Sequence, residues 1–231
     1  MNWTPLVIGL VLSIPAGWFA AVLDERIPDN LPLFRPFPGV AFTSRRLWIQ
    51  FFVTVLFIAT FARFGDAPPL VLLGYLLFFT AAVALAAIDL VTLRLPDRIV
   101  GPLLMISLVI VVVASLLNHD AVQIRFAIIG GAVYFGFLLL AHLVMPAGMG
   151  FGDVKLSAVM GLFVGWVTVD GLSAVTATLY AMIIGFVVGS AAGIVVFAFR
   201  RGSKPYPFGP FLLFGAIVVI LASPQLLTSV A

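Results

Sequence analysis

The chain has 231 residues, of which 63% are hydrophobic and only 9% charged, against about 25% charged in ordinary soluble domains. It contains no cysteine and only two histidines, which excludes disulfides, thiolate metal sites and cysteine catalysis and argues against a histidine-rich metal site. Its net charge of +3 comes from twelve basic residues scattered between apolar runs, with no continuous patch that would suit a nucleic acid.

Taken in chain order, eight stretches lack any Asp, Glu, Lys or Arg: 1–23, 47–62, 67–88, 99–119, 126–152, 156–169, 171–199 and 205–231. A spanning helix needs about 20 mostly apolar residues. Six stretches reach that length, whereas 47–62 and 156–169 reach it only with flanking residues. The expected fold is therefore all-α: a polytopic membrane helical bundle of about eight transmembrane helices. Seven spans plus a re-entrant segment near Gly150–Gly165 is the alternative. The first stretch lacks a basic leader region and a small-residue cleavage site, so it reads as a retained helix. The whole of 1–231 reads as one membrane-embedded domain. Its largest hydrophilic piece is 24–46, a short loop whose four prolines forbid a long helix. Glycines at four-residue spacing, Gly185, Gly189 and Gly193 as well as Gly161 and Gly165, read as helix-packing positions.

The basic residues set the orientation. With both termini outside, the inner islands hold Arg26, Arg35, Arg45, Arg46, Arg94, Arg98, Lys155, Arg200, Arg201 and Lys204, and the outer ones only Arg63 and Arg125. That is a clear positive-inside bias.

Among the nine acids, Asp66, Asp120 and Asp170 fall in outer loops and need only solvation. Asp89 closes the third stretch, and Asp153 opens the sixth at the same membrane face. An acid at this depth is expensive and usually marks function. Two neighbouring carboxylates repel and hold one proton between them, which is what an aspartyl protease needs to activate water and protonate a carbonyl. On helix-end grounds alone, Asp153 near an N-terminus would be the ionised partner and Asp89 near a C-terminus the protonated one. Gly148, Gly150 and Gly152 leave bare, permissive backbone beside Asp153, room for an extended peptide. A phosphate loop is excluded, since no Gly-Lys-Ser/Thr follows and the acid would repel phosphate.

Three segments carry a resemblance. "GFGD" at 150–153 with Lys155 resembles the GxGD signature of the type IV prepilin peptidases, membrane-embedded aspartyl proteases. "AIDLVTLRLPD" at 87–97 resembles that family's other acidic motif, and "PYPFGPFLLFGA" at 205–216 its proline-rich entry to the last helix. They occur in the family's order, across roughly residues 67–220.

The resemblance implies Asp89 and Asp153 as the catalytic pair, supported by Asp97, Gly150, Gly152 and Lys155. Pro207 and Gly209 would shape the wall of the site, and no metal or other cofactor is implied. It further implies a bacterial inner-membrane enzyme that removes the short basic leader from prepilins or pseudopilins at the cytoplasmic face. Asp24, Glu25 and Asp29 are the expected contacts for that leader. Many members carry a larger first loop with paired CxxC motifs and also N-methylate the product. Here that loop is short and cysteine is absent, so the expectation is a peptidase alone. Proteases of the presenilin type close with a Pro-Ala-Leu motif that is missing near this C-terminus. The alternative from another class is a proton- or cation-coupled transporter using Asp89 and Asp153 as a relay. Such folds often pair broken helices between two halves, and only one glycine-rich break, at 146–152, is visible.

Overall fold

The structure, a computed structural model, describes residues 3–28, 43–146, 150–199 and 206–223. Eight helices account for nearly all of them: α1 (Thr4–Arg26), α2 (Ser44–Phe64), α3 (Pro69–Thr92), α4 (Asp97–Leu117), α5 (Val122–Val144), α6 (Phe151–Trp166), α7 (Gly171–Phe199) and α8 (Gly209–Ala222). No strand occurs among the described residues. Each uncharged stretch has become one helix, because a backbone in lipid must satisfy its N–H and C=O groups within its own segment. Local residues set many of the ends. Thr43 caps α2 by accepting the Arg46 N–H at 3.4 Å, and Asp170 caps α7 by accepting the Ser173 N–H at 2.9 Å. Pro68 and Pro96 precede α3 and α4, where a missing N–H leaves no helical bond unmade.

Six helices, α1 to α5 and α7, are long and apolar enough to cross a membrane. As the sequence suggested, α2 reaches that length by recruiting its charged flank. The other two are shorter. At 1.5 Å per residue, the 16 residues of α6 and the 14 of α8 extend about 24 and 21 Å, against about 30 Å of hydrocarbon.

The two inner helices are α3 and α6. In its most apolar window α3 is 72% buried, whereas the other five spans reach 28–39%. α6 packs against α4, α5, α7 and α8, and every residue from Gly161 to Thr168 is buried. Aromatic contacts join the inner pair. Tyr75 stacks on Trp166 with centroids 5.4 Å apart, and its hydroxyl donates to the Phe163 carbonyl at 3.3 Å. Trp166 in turn donates its indole N–H to Ser115 on α4 at 3.1 Å.

Glycine lets several of these helices touch. A Cβ on Gly130 of α5 or on Gly161 of α6 would run into the other's carbonyl oxygen, and one on Gly165 into that of Phe126. Gly185 and Gly189 do the same for α7 and α8, each facing Phe211 and its neighbours at 3.2 Å or less, whereas Gly193 packs loosely, 3.8 Å from Tyr206. The packing reading of these spacings holds.

The charged helix ends gather at one end of the bundle. Arg45 at the start of α2 donates to the Ala87 carbonyl of α3 at 2.8 Å, and Lys155 of α6 reaches Asp97 of α4. Arg63 lies at the opposite end, donating to the Ser223 carbonyl after α8. The charge bias read from sequence is thus built into the described part of the bundle.

Candidate active site

Two acids come together at the charged end. Asp89 occupies the last turn of α3 and Asp153 the first turn of α6, and both are buried. Between them comes the start of α8. The Gly209 N–H donates to Asp89 Oδ2 at 3.2 Å. A Cβ placed on Gly209 would lie 2.9 Å from Asp89 Oδ2 and 3.2 Å from Asp153 Oδ1. The two oxygens are therefore within about 6 Å of each other, the sum of those distances, close enough for strong like-charge coupling.

This geometry revises the helix-end argument. Asp89 does sit near the C-terminus of its own helix, but its side chain meets the N-terminus of α8. Both carboxylates therefore lie at helix N-termini, whose partial positive charge favours anions. The helix ends no longer distinguish the protonated partner from the ionised one.

A cavity of about 390 Å³ opens beside the pair, lined by Asp89, Asp153, Gly150 and Gly152 together with the link between α3 and α4. That link starts sharply, because Leu93 ends α3 in the left-handed region at φ 55°, a conformation costing a non-glycine residue about 1–2 kcal/mol. The turn carries Leu93, Arg94 and Leu95 along the cavity wall. It also brings Leu95 against α6, where a Cβ on Gly152 would stand 2.9 Å from the Leu95 Cβ.

The role expected of the glycines changes accordingly. Gly150 has an ordinary extended backbone (φ −68°, ψ 141°) and Gly152 is helical. Neither needs conformations closed to other residues; what each contributes is the missing side chain. Gly148 lies outside the described residues.

Asp97 is the first residue of α4, directly after Pro96, and it also joins the site. Lys155 donates to both of its carboxylate oxygens at 2.8 Å and lies over the Phe151 ring, 5.2 Å from its centroid. Lys155 is thereby committed to Asp97 and ties α4 to α6 at the cavity rim. Pro207, half-buried, leads into α8.

The acids expected to meet a basic leader are not among the residues that line the cavity. Asp24 and Glu25 belong to the last turn of α1 rather than to a loop, and Arg45 and Arg46 to the first turn of α2. Asp24, its side chain 3% exposed, pairs with Arg45 at 2.5 Å. Glu25 pairs with Arg46 through two hydrogen bonds. The two acids therefore fasten α1 to α2 and are already matched in charge. Asp29 lies outside the described residues.

Sequence reading missed Arg45 as a clamp on α3 and Arg94 as a cavity residue. Arg94 could have been suspected from its place between Asp89 and Asp97. Nothing local pointed to Arg45, whose partners are 21 and 42 residues away.

The model of the type IV leader peptidase family matches residues 76–194, just over half of the chain. The chain is 32% identical over 158 residues to a prepilin leader peptidase/N-methyltransferase of Aeromonas hydrophila, an alignment covering 67% of this chain and 51% of that protein. It is 32% identical over 177 residues to one from Escherichia coli (strain K12), covering 74% and 73%. For one from Dichelobacter nodosus the identity is 31% over 196 residues, covering 81% and 61%. The chain spans about half the length of several of the curated relatives it matches. No solved structure matches it.

Proposed function

Because the chain belongs to the type IV leader peptidase family, we propose that this multi-pass membrane protein is an aspartyl endopeptidase, its residues 1–231 forming one peptidase domain. Its substrates are prepilin or pseudopilin precursors, whose short basic leader it removes at the cytoplasmic face of the bacterial inner membrane. The observation that carries this reading is the meeting of Asp89 and Asp153 across Gly209 at the mouth of the cavity.

The chemistry follows from the spacing. Oxygens within about 6 Å of each other can both hydrogen-bond one water, each bond being about 2.8 Å. The ionised carboxylate takes a proton from that water as its oxygen attacks the scissile carbonyl carbon. The protonated carboxyl gives its proton to the carbonyl oxygen, forming a neutral tetrahedral diol. On collapse the C–N bond breaks, one diol hydroxyl returns a proton to the dyad, and the leaving amine takes up a proton. The products are the leader's new carboxyl terminus and the pilin's new amino terminus. A pair that shares one proton titrates as a unit, so roles are assigned to the dyad rather than to either member. Gly209 anchors Asp89 through its N–H, the bare backbone at Gly150 leaves room for an extended peptide, and Gly152 gives its space to Leu95.

The methyltransferase half of the relatives' names is not carried over to this chain. The transporter alternative gains no support, since the matched family and all three relatives are peptidases by name.

The test is a cleavage assay in detergent with a prepilin from the same genome. Asp89→Asn and Asp153→Asn each abolish processing while the protein stays folded, and Asp97→Asn retains a measurable rate. Processing that persists in either dyad variant would remove these two acids from the chemistry.

A further inference from the structure

Tyr134 sits where α5 and α6 are most tightly packed, wholly buried in the interface that Gly130, Gly161 and Gly165 make possible. Its Cβ lies 2.8 Å from the point where a Cβ on Gly161 would stand. Gly161 is eight residues beyond Asp153 on α6, about 12 Å along the axis, and a tyrosine side chain covers roughly half of that length. Tyr134 and Asp153 thus stand about two helical turns apart along the α5–α6 interface.

Both groups have an unmet need. The Tyr134 hydroxyl and Asp153 Oδ1 are buried, and neither has a hydrogen-bond partner among the described residues. Unpaired buried polar atoms are costly and rare. Here a donor and an acceptor stand on adjacent helices, where one hydrogen bond would satisfy both. Tyr134 is not needed there for core packing alone, since a phenylalanine would fill the same space without an orphaned hydroxyl.

We infer that Tyr134 is a positioning residue for Asp153, its hydroxyl donating to Asp153 Oδ1 in the state that cuts substrate. The inference rests on the peptidase reading above. A carboxylate oxygen accepts two hydrogen bonds, so Oδ1 can hold the tyrosine and the shared water together. The dyad then has a backbone anchor on one side, Gly209 N–H on Asp89, and a side-chain anchor on the other. With Asp153 so held, the attacking water is aimed at the scissile carbonyl and not left to wander across the cavity.

The experiment measures kcat and KM separately for prepilin processing by wild type, Asp153→Asn and Tyr134→Phe, alongside the melting temperature of each in detergent. The phenylalanine variant should lose about 10- to 100-fold in kcat, the size of one hydrogen bond to a charged group, with KM and melting temperature essentially unchanged. A second enzyme carries 3-fluorotyrosine at position 134, which keeps the shape and makes the hydroxyl more acidic. Its kcat should depart from wild type while KM and stability do not. The inference is overturned if Tyr134→Phe works at the wild-type kcat. It is equally overturned if the fluorotyrosine enzyme matches wild type and the phenylalanine variant fails only in KM or in folding. Wild type that cuts no prepilin sinks the peptidase reading and this inference with it; an active wild type beside a fully active Tyr134→Phe sinks the inference alone.

Discussion

Gly209 and Asp89, 120 residues apart in the chain, are joined by a buried hydrogen bond of 3.2 Å from the glycine N–H to the carboxylate. The bond brings the first turn of α8 against the last turn of α3, and it leaves no room for a side chain, since any Cβ would enter the space between Asp89 and Asp153. Gly209→Ala should therefore abolish processing with little loss of helix content. Gly136→Ala, where a Cβ meets nothing within 4 Å, is the matched control and should process normally. Equal activity in the two would remove Gly209 from the site.

The Lys155–Asp97 pair is open to solvent, with side chains 38% and 69% exposed. Exposed pairs of this kind contribute about 0–1 kcal/mol. Lys155→Met and Asp97→Asn should each slow processing only several-fold. The double variant should be no slower than the worse single one, because both substitutions untie the same link. A double-mutant cycle with fully additive losses would mean that the two residues act separately.

Asp24 and Arg45 behave differently, because one of the two is buried. Asp24→Asn leaves Arg45 without its carboxylate and should lower stability by about 1–3 kcal/mol, read as an earlier thermal transition in detergent. KM for a prepilin with a basic leader should stay where it was. A raised KM with unchanged stability would instead assign Asp24 to leader binding.

Gly152 tests the contact between α6 and the α3–α4 link. A methyl group there stands 2.9 Å from the Leu95 Cβ, so Gly152→Ala must push the link outward. Forced overpacking costs typically 1–3 kcal/mol, and the cavity wall moves with it. We expect a marked fall in kcat/KM, and expect Leu95→Gly, made in the same chain, to restore part of it by removing the Cβ that the new methyl group meets.

At the other end of the bundle, Asp170 accepts hydrogen bonds from the backbone N–H and the hydroxyl of Ser173 at 2.9 and 2.8 Å. These bonds hold its carboxyl below the usual carboxylate range. A depressed folded value means the cap is fully present above about pH 4 and is lost as pH falls through the lowered value. Hydrogen exchange at the first turn of α7 should accelerate below that range, and Asp170→Asn should make the exchange insensitive to it.

Much of this protein was legible before any fold was known, because hydrophobicity and helix punctuation are local. Eight uncharged stretches became eight helices, Pro68, Pro96 and Asp170 stand at their starts, and the basic residues mark one membrane face. The placement of Asp89 and Asp153 at that face followed from the same local logic, since each closes or opens an apolar run. Local reading stopped where a property depended on which helices pack together. Nothing near Asp89 says that an N–H from residue 209 will reach its carboxylate and cancel the helix-end difference between the two acids. Nothing near Asp24 and Glu25 says that Arg45 and Arg46, 21 residues further on, will take up their charges. The glycines beside Asp153 look like sources of backbone freedom, but the room they leave matters only once Leu95 and the cavity are brought against them. Long-range packing in the bundle decides those pairings, and with them the geometry in which two aspartates meet across Gly209.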